Sequence, residues 1–336
     1  MARLGSAGER DEGAVTPEVT YREAVRDALA EELERDPSVI LLGEDIEPGG
    51  VFNTTPGLVE RFGPERVVDT PISELAFTSA AFGAAVKGMR PVVEIMFGDF
   101  LGLVVDTLVN QASKYWYLSN EQASVPLVVR SAVGAGARFG ACHSQTPTGW
   151  LLGEPGLKLV APATPADAKG LLKAAIRDDN PVVVFEHKLL YGRKGEVAEN
   201  GEPAEIGRAA VRRQGRDVTV VGALATVEAA IAAAEELAGE GIDTEVIDLR
   251  TLRPLDAATI AESAGRTGRL VVVEEGAPTG GYAAEVVAAA VERAGPIAVR
   301  RVTMPDLPIP FSPPLEDAAR PSPTAVAGAV RELVES

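Results

Sequence analysis

Glu74 is the residue of this 336-residue chain whose surroundings most favour chemistry. It follows Ser73, a residue type that caps helices, and it precedes residues 75–86, which carry no charged side chain. Because this stretch is apolar nearly all round, we expect a helix in a core or at a subunit interface. A carboxylate led into such surroundings must find a partner or hold a raised pKa. Glu74 is therefore either a capping carboxylate paired with an arginine or a carboxyl group that exchanges a proton with a buried ligand.

His143 is the second candidate, because it lies in the glycine-rich stretch 134–145, and loops of this kind often carry binding groups. A Cys-His dyad with Cys142 is disfavoured, since adjacent side chains usually project in different directions. Ser144 lacks the G-x-S-x-G context of a serine hydrolase. The glycine spacing also misses the dinucleotide-binding pattern G-x-G-x-x-G, because position 139 is Phe.

Other candidate positions have ordinary structural interpretations. His187 follows a predicted strand and is expected to pack at its end. The run 178–180, Asp-Asp-Asn, is typical of a solvated turn, although its clustered oxygens would also suit a cation. Met96 and Phe100 are most simply core residues, and the alternative is that an aromatic ring at this turn stacks on a flat ligand.

Composition restricts the classes of function. The formal net charge of −17 works against nucleic acids and anionic membranes as partners. The single cysteine excludes an internal disulfide and a multi-cysteine zinc site and fits a reducing cytoplasm, and the two histidines exclude a histidine-rich metal centre. Residues 1–16 are expected to be a disordered tail and not a signal peptide. No uncharged apolar run approaches the length of a membrane span.

Hydrophobic patterning predicts alternating strands and helices in two halves. Short apolar runs predict strands at 39–42, 66–69, 91–95, 125–130, 157–160, 181–186, 218–221, 244–249, 270–274 and 299–302. Helical spacing predicts helices at 20–35, 74–86, 100–117, 165–177, 226–240, 256–264, 282–294 and 324–334. A polar, glycine-containing linker at 193–207 separates the halves. The sequence therefore predicts an α/β fold of two parallel-sheet domains, residues 17–192 and 208–336.

Several motifs in the same order resemble the beta subunit of thiamine-diphosphate 2-oxo acid dehydrogenases, a family that includes the pyruvate, branched-chain and acetoin enzymes. They are DTPISE at 69–74, EIMF at 94–97, HSQ at 143–145, PGLK at 155–158, AAIRD at 174–178, and DLRTL at 248–252 with PLD at 254–256. The resemblance runs from about Thr20 to the C-terminus. It implies a transketolase-like pyrimidine-binding domain followed by a transketolase C-terminal domain.

The resemblance also implies roles for single residues. Glu74 matches the glutamate that bonds the aminopyrimidine ring of thiamine diphosphate and moves a proton there. Ile72, Met96 and Phe100 match positions that line this ring. His143 matches the histidine that assists acyl transfer to a lipoyl group. The residues matching a monovalent-cation site, which holds K⁺ in some relatives, are Leu127, Ala175, Ile176, Asp178 and Asn180.

A missing motif implies a partner. In this superfamily a Gly-Asp-Gly motif with a downstream Asn pair holds the divalent metal of the cofactor, but here residues 98–99, Gly-Asp, are followed by Phe100. The resemblance therefore implies that an alpha subunit holds Mg²⁺ and the diphosphate, in a heterotetramer of two alpha and two beta chains. The other implied partners are a 2-oxo acid and a lipoyl-bearing acyltransferase or carrier protein.

Three positions depart from the family pattern. Cys142 stands where many relatives have Gln, Gly153 replaces a histidine common in pyruvate enzymes, and Leu103 replaces a polar residue found in some relatives. By the resemblance these positions lie near the acyl pocket. They put pyruvate in doubt as the substrate.

Two other functions remain open. A transketolase-like subunit would move a two-carbon ketol unit from a ketose donor to a lipoyl or carrier-protein acceptor. A sugar-phosphate donor needs an anion site, for which Arg138, Lys114 and Arg130 are candidates. A non-catalytic scaffold would dock a lipoyl-bearing core through its C-terminal domain, but the presence of both Glu74 and His143 argues against it.

Overall fold

A computed structural model describes residues 17–198 and 201–336, so the predicted N-terminal tail at 1–16 lies outside the described residues. The strands in this part of the chain are β1 (Glu18–Thr20), β2 (Val39–Gly43), β3 (Val67–Asp69), β4 (Arg90–Ile95), β5 (Val128–Val133), β6 (Lys158–Val160), β7 (Val182–His187), β8 (Lys194–Glu196), β9 (Ala210–Arg213), β10 (Val218–Gly222), β11 (Thr244–Asp248), β12 (Thr251–Arg253), β13 (Arg269–Glu274) and β14 (Ala298–Thr303).

Helices connect most of these strands. The α-helices are α1 (Tyr21–Arg35), α2 (Leu58–Phe62), α3 (Glu74–Val86), α4 (Leu101–Val105), α5 (Ser113–Leu118), α6 (Gly149–Leu152), α7 (Pro165–Arg177), α8 (Thr226–Ala238), α9 (Ala257–Thr267), α10 (Tyr282–Ala294), α11 (Pro313–Ala319) and α12 (Pro323–Glu335). Short 3₁₀ turns lie at Gly98–Phe100 and Lys188–Leu190, and a π-helical segment lies at Asp106–Ala112. Along the described residues, none of the helices has the length and apolar character needed to cross a bilayer.

The first sheet has the strand order β12-β6-β7-β5-β4-β2-β3, and the second has the order β14-β13-β10-β11-β9. The inner strands of both sheets run parallel, as their helical crossovers require. The sheets are parallel as predicted except at two edges, where β12 and β9 pair antiparallel with their neighbours. Both are strands of three or four residues, too short to show a hydrophobic pattern.

The two halves of the chain are tied together by strand pairing. β12 comes from the second half but completes the edge of the first sheet, beside β6. β8 lies within the proposed linker 193–207 and pairs antiparallel with β1. We retain 17–192 and 208–336 as the proposed division into domains, with the beginning of the linker folded onto the first domain.

Apolar side chains cover both faces of the first sheet. α3 packs on one face through Phe77, Ala81 and Ala85, and α1 and α7 pack on the other. α3 begins at Glu74 as predicted, but the Ser73 side chain makes no capping hydrogen bond. In α7, by contrast, the Thr164 hydroxyl accepts the Asp167 N–H as expected of a cap.

The predicted helix over 100–117 is interrupted. The structure divides it into α4, the π-helical segment and α5. The Asp106 carboxylate accepts hydrogen bonds from the side chains of Asn110 and Gln111, which lie four and five residues further along the chain. A sequence pattern of period 3.6 does not distinguish this wider turn from an ordinary helix.

Candidate active site

The candidate residues lie along one edge of the first sheet. Strands β7, β5, β4, β2 and β3 are neighbours in that order and parallel, so their carboxyl ends meet at the same edge. The residues that follow these ends are, strand by strand, Lys188, His143, Phe100, Glu44 and Glu74. Open α/β sheets bind ligands at this edge. Residues far apart in the chain are thereby gathered into one row.

Glu74 lies in the first turn of α3, and only 7% of its surface is exposed. Among the described residues its carboxylate has neither an ion pair nor a hydrogen bond, so of the two alternatives for Glu74 the arginine partner is not found. Close by in the chain, the side chain of Ile72 is 78% exposed. A largely buried acid that has no partner among the described residues, close in the chain to an open apolar side chain, suits a ligand ring with polar nitrogen atoms.

Glu44 was not found by sequence analysis. It follows β2 directly, is buried, and one of its carboxylate oxygens has no hydrogen-bond partner among the described residues. Burial raises the pKa of Glu44, and the negative charges of Glu74, Asp45 and Asp69 raise it further. The hydroxyl of Thr70 is a second buried polar atom at this edge without a partner. These orphaned atoms also fit a site that a polar ligand completes.

Aromatic rings surround His143. Its imidazole lies edge-on to the ring of Phe97, with centroids 4.6 Å apart, and edge-on to Phe100 at 5.4 Å. Phe97 in turn contacts Phe139 at 5.7 Å. Phe100 is partly buried and near the ring of His143, whereas Met96 is 2% exposed and belongs to the core on the α1 side of the sheet. Of these two predicted pyrimidine-lining residues, Phe100 has the more open side chain.

The loop that carries His143 is fastened to the second half of the chain. The Gly136 N–H donates to the Glu316 carboxylate at 2.7 Å, and the Ala135 N–H donates to Glu275. Arg138 donates to Glu316 at 2.7 Å and to both oxygens of the exposed Asp317 at 2.8 Å. Glu316 is fully buried. The C-terminal half therefore fixes the path of the loop.

His187 belongs to the same junction, in agreement with its predicted structural role. Its Nδ1 accepts the N–H of Leu189, so its Nε2 faces Glu275 as the protonated nitrogen, at 3.1 Å. Burial raises the pKa of Glu275, but His187, Arg320 and the Ala135 N–H outweigh it and leave that pKa below its usual range. A Cβ at Gly134 would lie 2.0 Å from Nε2, and φ there is +98°, so only glycine fits.

Removing the Glu316 carboxylate tests this attachment. In Glu316→Ala the Gly136 N–H and the Arg138 guanidinium lose a buried acceptor, which we expect to lower the free energy of unfolding by about 2 kcal/mol. Urea denaturation measures the change. Asp317→Ala is the matched control, because Asp317 binds the same arginine from an exposed position and should cost less than about 1 kcal/mol. Equal losses in the two variants would contradict the attachment.

The three candidate cations for a sugar phosphate are all engaged with carboxylates. Arg138 is bound as described above, and Lys114 donates to Glu154 at 2.7 Å. Arg130 is buried between Glu94 and Glu186. Burial raises the pKa of Glu94, and Glu186 adds to the rise. None of the three is placed to neutralise a phosphate without giving up an ion pair.

The residues predicted for a monovalent cation come together at the end of α7, but other cations already contact them. Arg90 donates to the carbonyls of Ile176, at 2.9 Å, and Asp178, at 3.0 Å. The ammonium of Lys158 pairs with the Asp178 carboxylate, whose second oxygen accepts the side-chain amide of Asn180. Leu127 and Ala175 give their carbonyls to backbone N–H groups. Binding of K⁺ here stays a prediction.

Apolar side chains are exposed around the site. On α3 Leu75 is exposed, although the helix is buried on its opposite side. Leu103 on α4 and Tyr117 and Leu118 on α5 are exposed as well. A cavity of about 670 Å³ lies between the loop 145–150 and the second half of the chain, but neither Glu74 nor His143 lines it. On this chain the row of candidate residues runs from buried side chains to partly exposed rings, and exposed apolar groups border it.

Fold and site together define a two-domain, transketolase-like α/β protein. The chain matches the family models "Transketolase, pyrimidine binding domain" over residues 17–194 and "Transketolase, C-terminal domain" over residues 207–326. A solved structure described as a split-gene transketolase, an inactive beta4 tetramer, is similar with a TM-score of 0.78 and 25% identity, covering 94% of this chain and 98% of the other.

Curated relatives narrow the family. The chain is 45% identical over 326 residues to the acetoin:2,6-dichlorophenolindophenol oxidoreductase subunit beta of Cupriavidus necator, covering 93% of this chain and 96% of that protein. It is 44% identical over 327 residues to the mitochondrial pyruvate dehydrogenase E1 component subunit beta-1 of Arabidopsis thaliana, covering 95% and 90%. It is 43% identical over 325 residues to the 2-oxoisovalerate dehydrogenase subunit beta of Bacillus subtilis, covering 94% and 99%.

The chain therefore belongs to the transketolase-like family of beta subunits of thiamine-dependent 2-oxo acid dehydrogenases. This confirms the resemblance and the fold class predicted from the motifs. The family implies dependence on thiamine diphosphate, and the name "subunit beta" shared by these relatives implies an alpha subunit as partner.

Proposed function

We propose that this chain, with an alpha subunit, decarboxylates a 2-oxo acid and passes the acyl group to a lipoyl group of an acyltransferase or carrier protein. The observation that carries the proposal is Glu74, a residue 7% exposed whose carboxylate has no partner among the described residues and which follows the exposed Ile72 by two positions, in a chain of this family. The single cysteine, Cys142, supports a reducing, cytoplasmic location.

Thiamine diphosphate fits this edge of the sheet. When bound, it supplies an electron sink that allows carbon dioxide to leave a 2-oxo acid. In the proposal Glu74 holds and moves a proton at a nitrogen of the aminopyrimidine ring, while Ile72 and Phe100 line the ring. Met96, which the resemblance also implies at the ring, is buried in the core on the α1 side of the sheet. Glu44 is a second carboxyl group near Glu74, and its raised pKa makes it easier to protonate than an ordinary glutamate.

His143 serves the second half of the reaction. Acylation of a lipoyl group breaks its S–S bond, and the sulfur that is not acylated needs a proton. The imidazole of His143, held between two aromatic rings, is suited to give that proton. The departures at Cys142, Gly153 and Leu103 concern the choice of acyl group, and they keep pyruvate in doubt as the donor.

An alpha subunit completes the site. We propose that it covers the apolar surface formed by Leu75, Leu103, Tyr117 and Leu118 and supplies the residues that hold Mg²⁺ and the diphosphate. In residues 17–198 and 201–336 there is no group of three or more His, Cys, Asp or Glu residues able to hold a metal ion. The proposed assembly is a heterotetramer of two alpha and two beta chains.

Turnover by this chain mixed with its alpha subunit tests the proposal. The assay contains thiamine diphosphate, Mg²⁺ and an artificial electron acceptor, and it compares pyruvate, branched-chain 2-oxo acids, acetoin and ketose phosphates. We expect a 2-oxo acid to be decarboxylated, because Arg138, Lys114 and Arg130 are already paired with carboxylates and leave a ketose phosphate without an anion site. Consumption of a ketose phosphate alone would support ketol transfer instead.

A further inference from the structure

Lys188 contacts both the main chain and the aromatic neighbour of His143. It begins the 3₁₀ turn directly after β7, and it is 7% exposed. Its ammonium donates to the carbonyl of His143 at 2.8 Å and lies 5.6 Å from the centroid of the Phe97 ring. That ring is the one that meets the imidazole edge-on at 4.6 Å. One side chain thus holds His143 from two directions.

The partners of Lys188 differ from those of an ordinary buried lysine. Lys173 is buried to a similar degree and also donates to a carbonyl, that of Gly201 at 2.7 Å, but it forms an ion pair with Glu31 at the same distance. Among the described residues Lys188 forms no ion pair. Within the same part of the chain its ammonium makes one hydrogen bond, to the His143 carbonyl. The ammonium is therefore kept in a buried place without a carboxylate in direct contact.

We propose that Lys188 is a positioning residue for acyl transfer, which orients the imidazole of His143 towards the lipoyl group by holding the His143 carbonyl and the Phe97 ring. The inference rests on the role proposed above for His143. It adds a residue that touches neither the substrate nor the cofactor. Placing a catalytic group wrongly by about 1 Å can cost roughly 100-fold in rate. The contacts of Lys188 with the His143 carbonyl and the Phe97 ring therefore matter to turnover.

The charge of Lys188 responds to pH near neutrality. Burial lowers the pKa of Lys188 to about 8, although Asp99, Glu275 and Glu316 face it and act in the opposite direction. Above that pH the side chain becomes a neutral amine, and its hydrogen bond to the His143 carbonyl loses the assistance of the charge. The cation–π contact with Phe97 is lost as well. The rate of acyl transfer should therefore decline as the pH rises above about 8.

Two variants and a matched control test the inference in the enzyme assembled with its alpha subunit. Free lipoamide is the acceptor in one assay and ferricyanide in the other, and the quantity compared is the ratio of the two rates. We expect Lys188→Met to lower this ratio by about 10-fold to 100-fold at pH 7. Lys188→Arg keeps a charge at every assay pH and should shift the alkaline decline of lipoamide acylation beyond pH 9. Lys173→Met should leave the ratio within about twofold of the wild type.

The outcomes separate failure of the inference from failure of the proposed function. If the wild-type enzyme decarboxylates with ferricyanide but never acylates lipoamide, the proposed role of His143 is contradicted, and the inference about Lys188 fails with it. A wild type active in both assays, with an unchanged ratio in Lys188→Met, would overturn the inference alone. The same alkaline decline in Lys188→Arg as in the wild type would also overturn it, even if Lys188→Met lost stability.

Discussion

Glu74→Gln should lower decarboxylation by the assembled enzyme about 1000-fold, with the fold retained. Glutamine has nearly the shape of glutamate but cannot take up and release a proton, and general acid–base catalysis by a positioned side chain contributes roughly 10²-fold to 10⁴-fold. Because the carboxylate has no partner among the described residues, the substitution breaks no ion pair. Initial rates of carbon dioxide release with an artificial acceptor measure the effect.

Asp45→Asn is the control for this prediction. Asp45 lies beside Glu44 at the same edge of the sheet and is exposed, so the variant removes one negative charge without removing the buried acid. Its rate should stay within a few fold of the wild type, because a surface substitution changes the free energy of unfolding by only about 0.5 kcal/mol and leaves the fold intact. Full activity in Glu74→Gln would refute the proton-transfer role and favour the non-catalytic scaffold.

His143→Ala should separate the two halves of the reaction. Acylation of lipoamide should fall by about 100-fold to 1000-fold, because no other imidazole stands at this position to supply the proton. Decarboxylation with ferricyanide should fall by less than about tenfold, since the proton at the aminopyrimidine is moved by Glu74. The measurement is the pair of rates on one preparation of enzyme.

Cys142→Ser is the control for the histidine variant. The cysteine is adjacent and exposed, and a change in the preferred acyl group acts on both rates alike, so the ratio of the two rates should remain within about twofold of the wild type. Equal loss of both rates in His143→Ala would show that the histidine supports the site as a whole. A loss in Cys142→Ser as large as that in His143→Ala would instead revive the Cys-His dyad.

Much of the fold follows from local signals. α7 and α10 span the predicted residues 165–177 and 282–294, because a Thr-Pro start and a pair of glycines mark their beginnings in the sequence. Short elements were missed: α2, α6, β1, β9 and β12 have at most five residues each and carry no readable period. β12 in particular depends on pairing with β6, a partner about 90 residues away, which no local pattern records.

The site was predicted in part. Glu74 and His143 have distinctive neighbours in the sequence, and the motifs around them carry the resemblance. Glu44, Phe97 and Lys188 went unnoticed as site residues, because only the order of the strands brings them together. A usable signal existed, since each follows closely on the end of a predicted parallel strand, and ligands bind at such ends. Only the structure shows that Glu74 has no arginine partner among the described residues.

The central claim is that this chain carries one half of a shared thiamine diphosphate site, with Glu74 at the pyrimidine and an alpha subunit at the diphosphate. Calorimetric titration of thiamine diphosphate with Mg²⁺ into the chain alone, into the alpha subunit alone and into their mixture tests it most directly. We predict tight binding by the mixture and none by this chain alone. Tight binding by this chain alone, or none by a mixture shown to assemble, would contradict the claim.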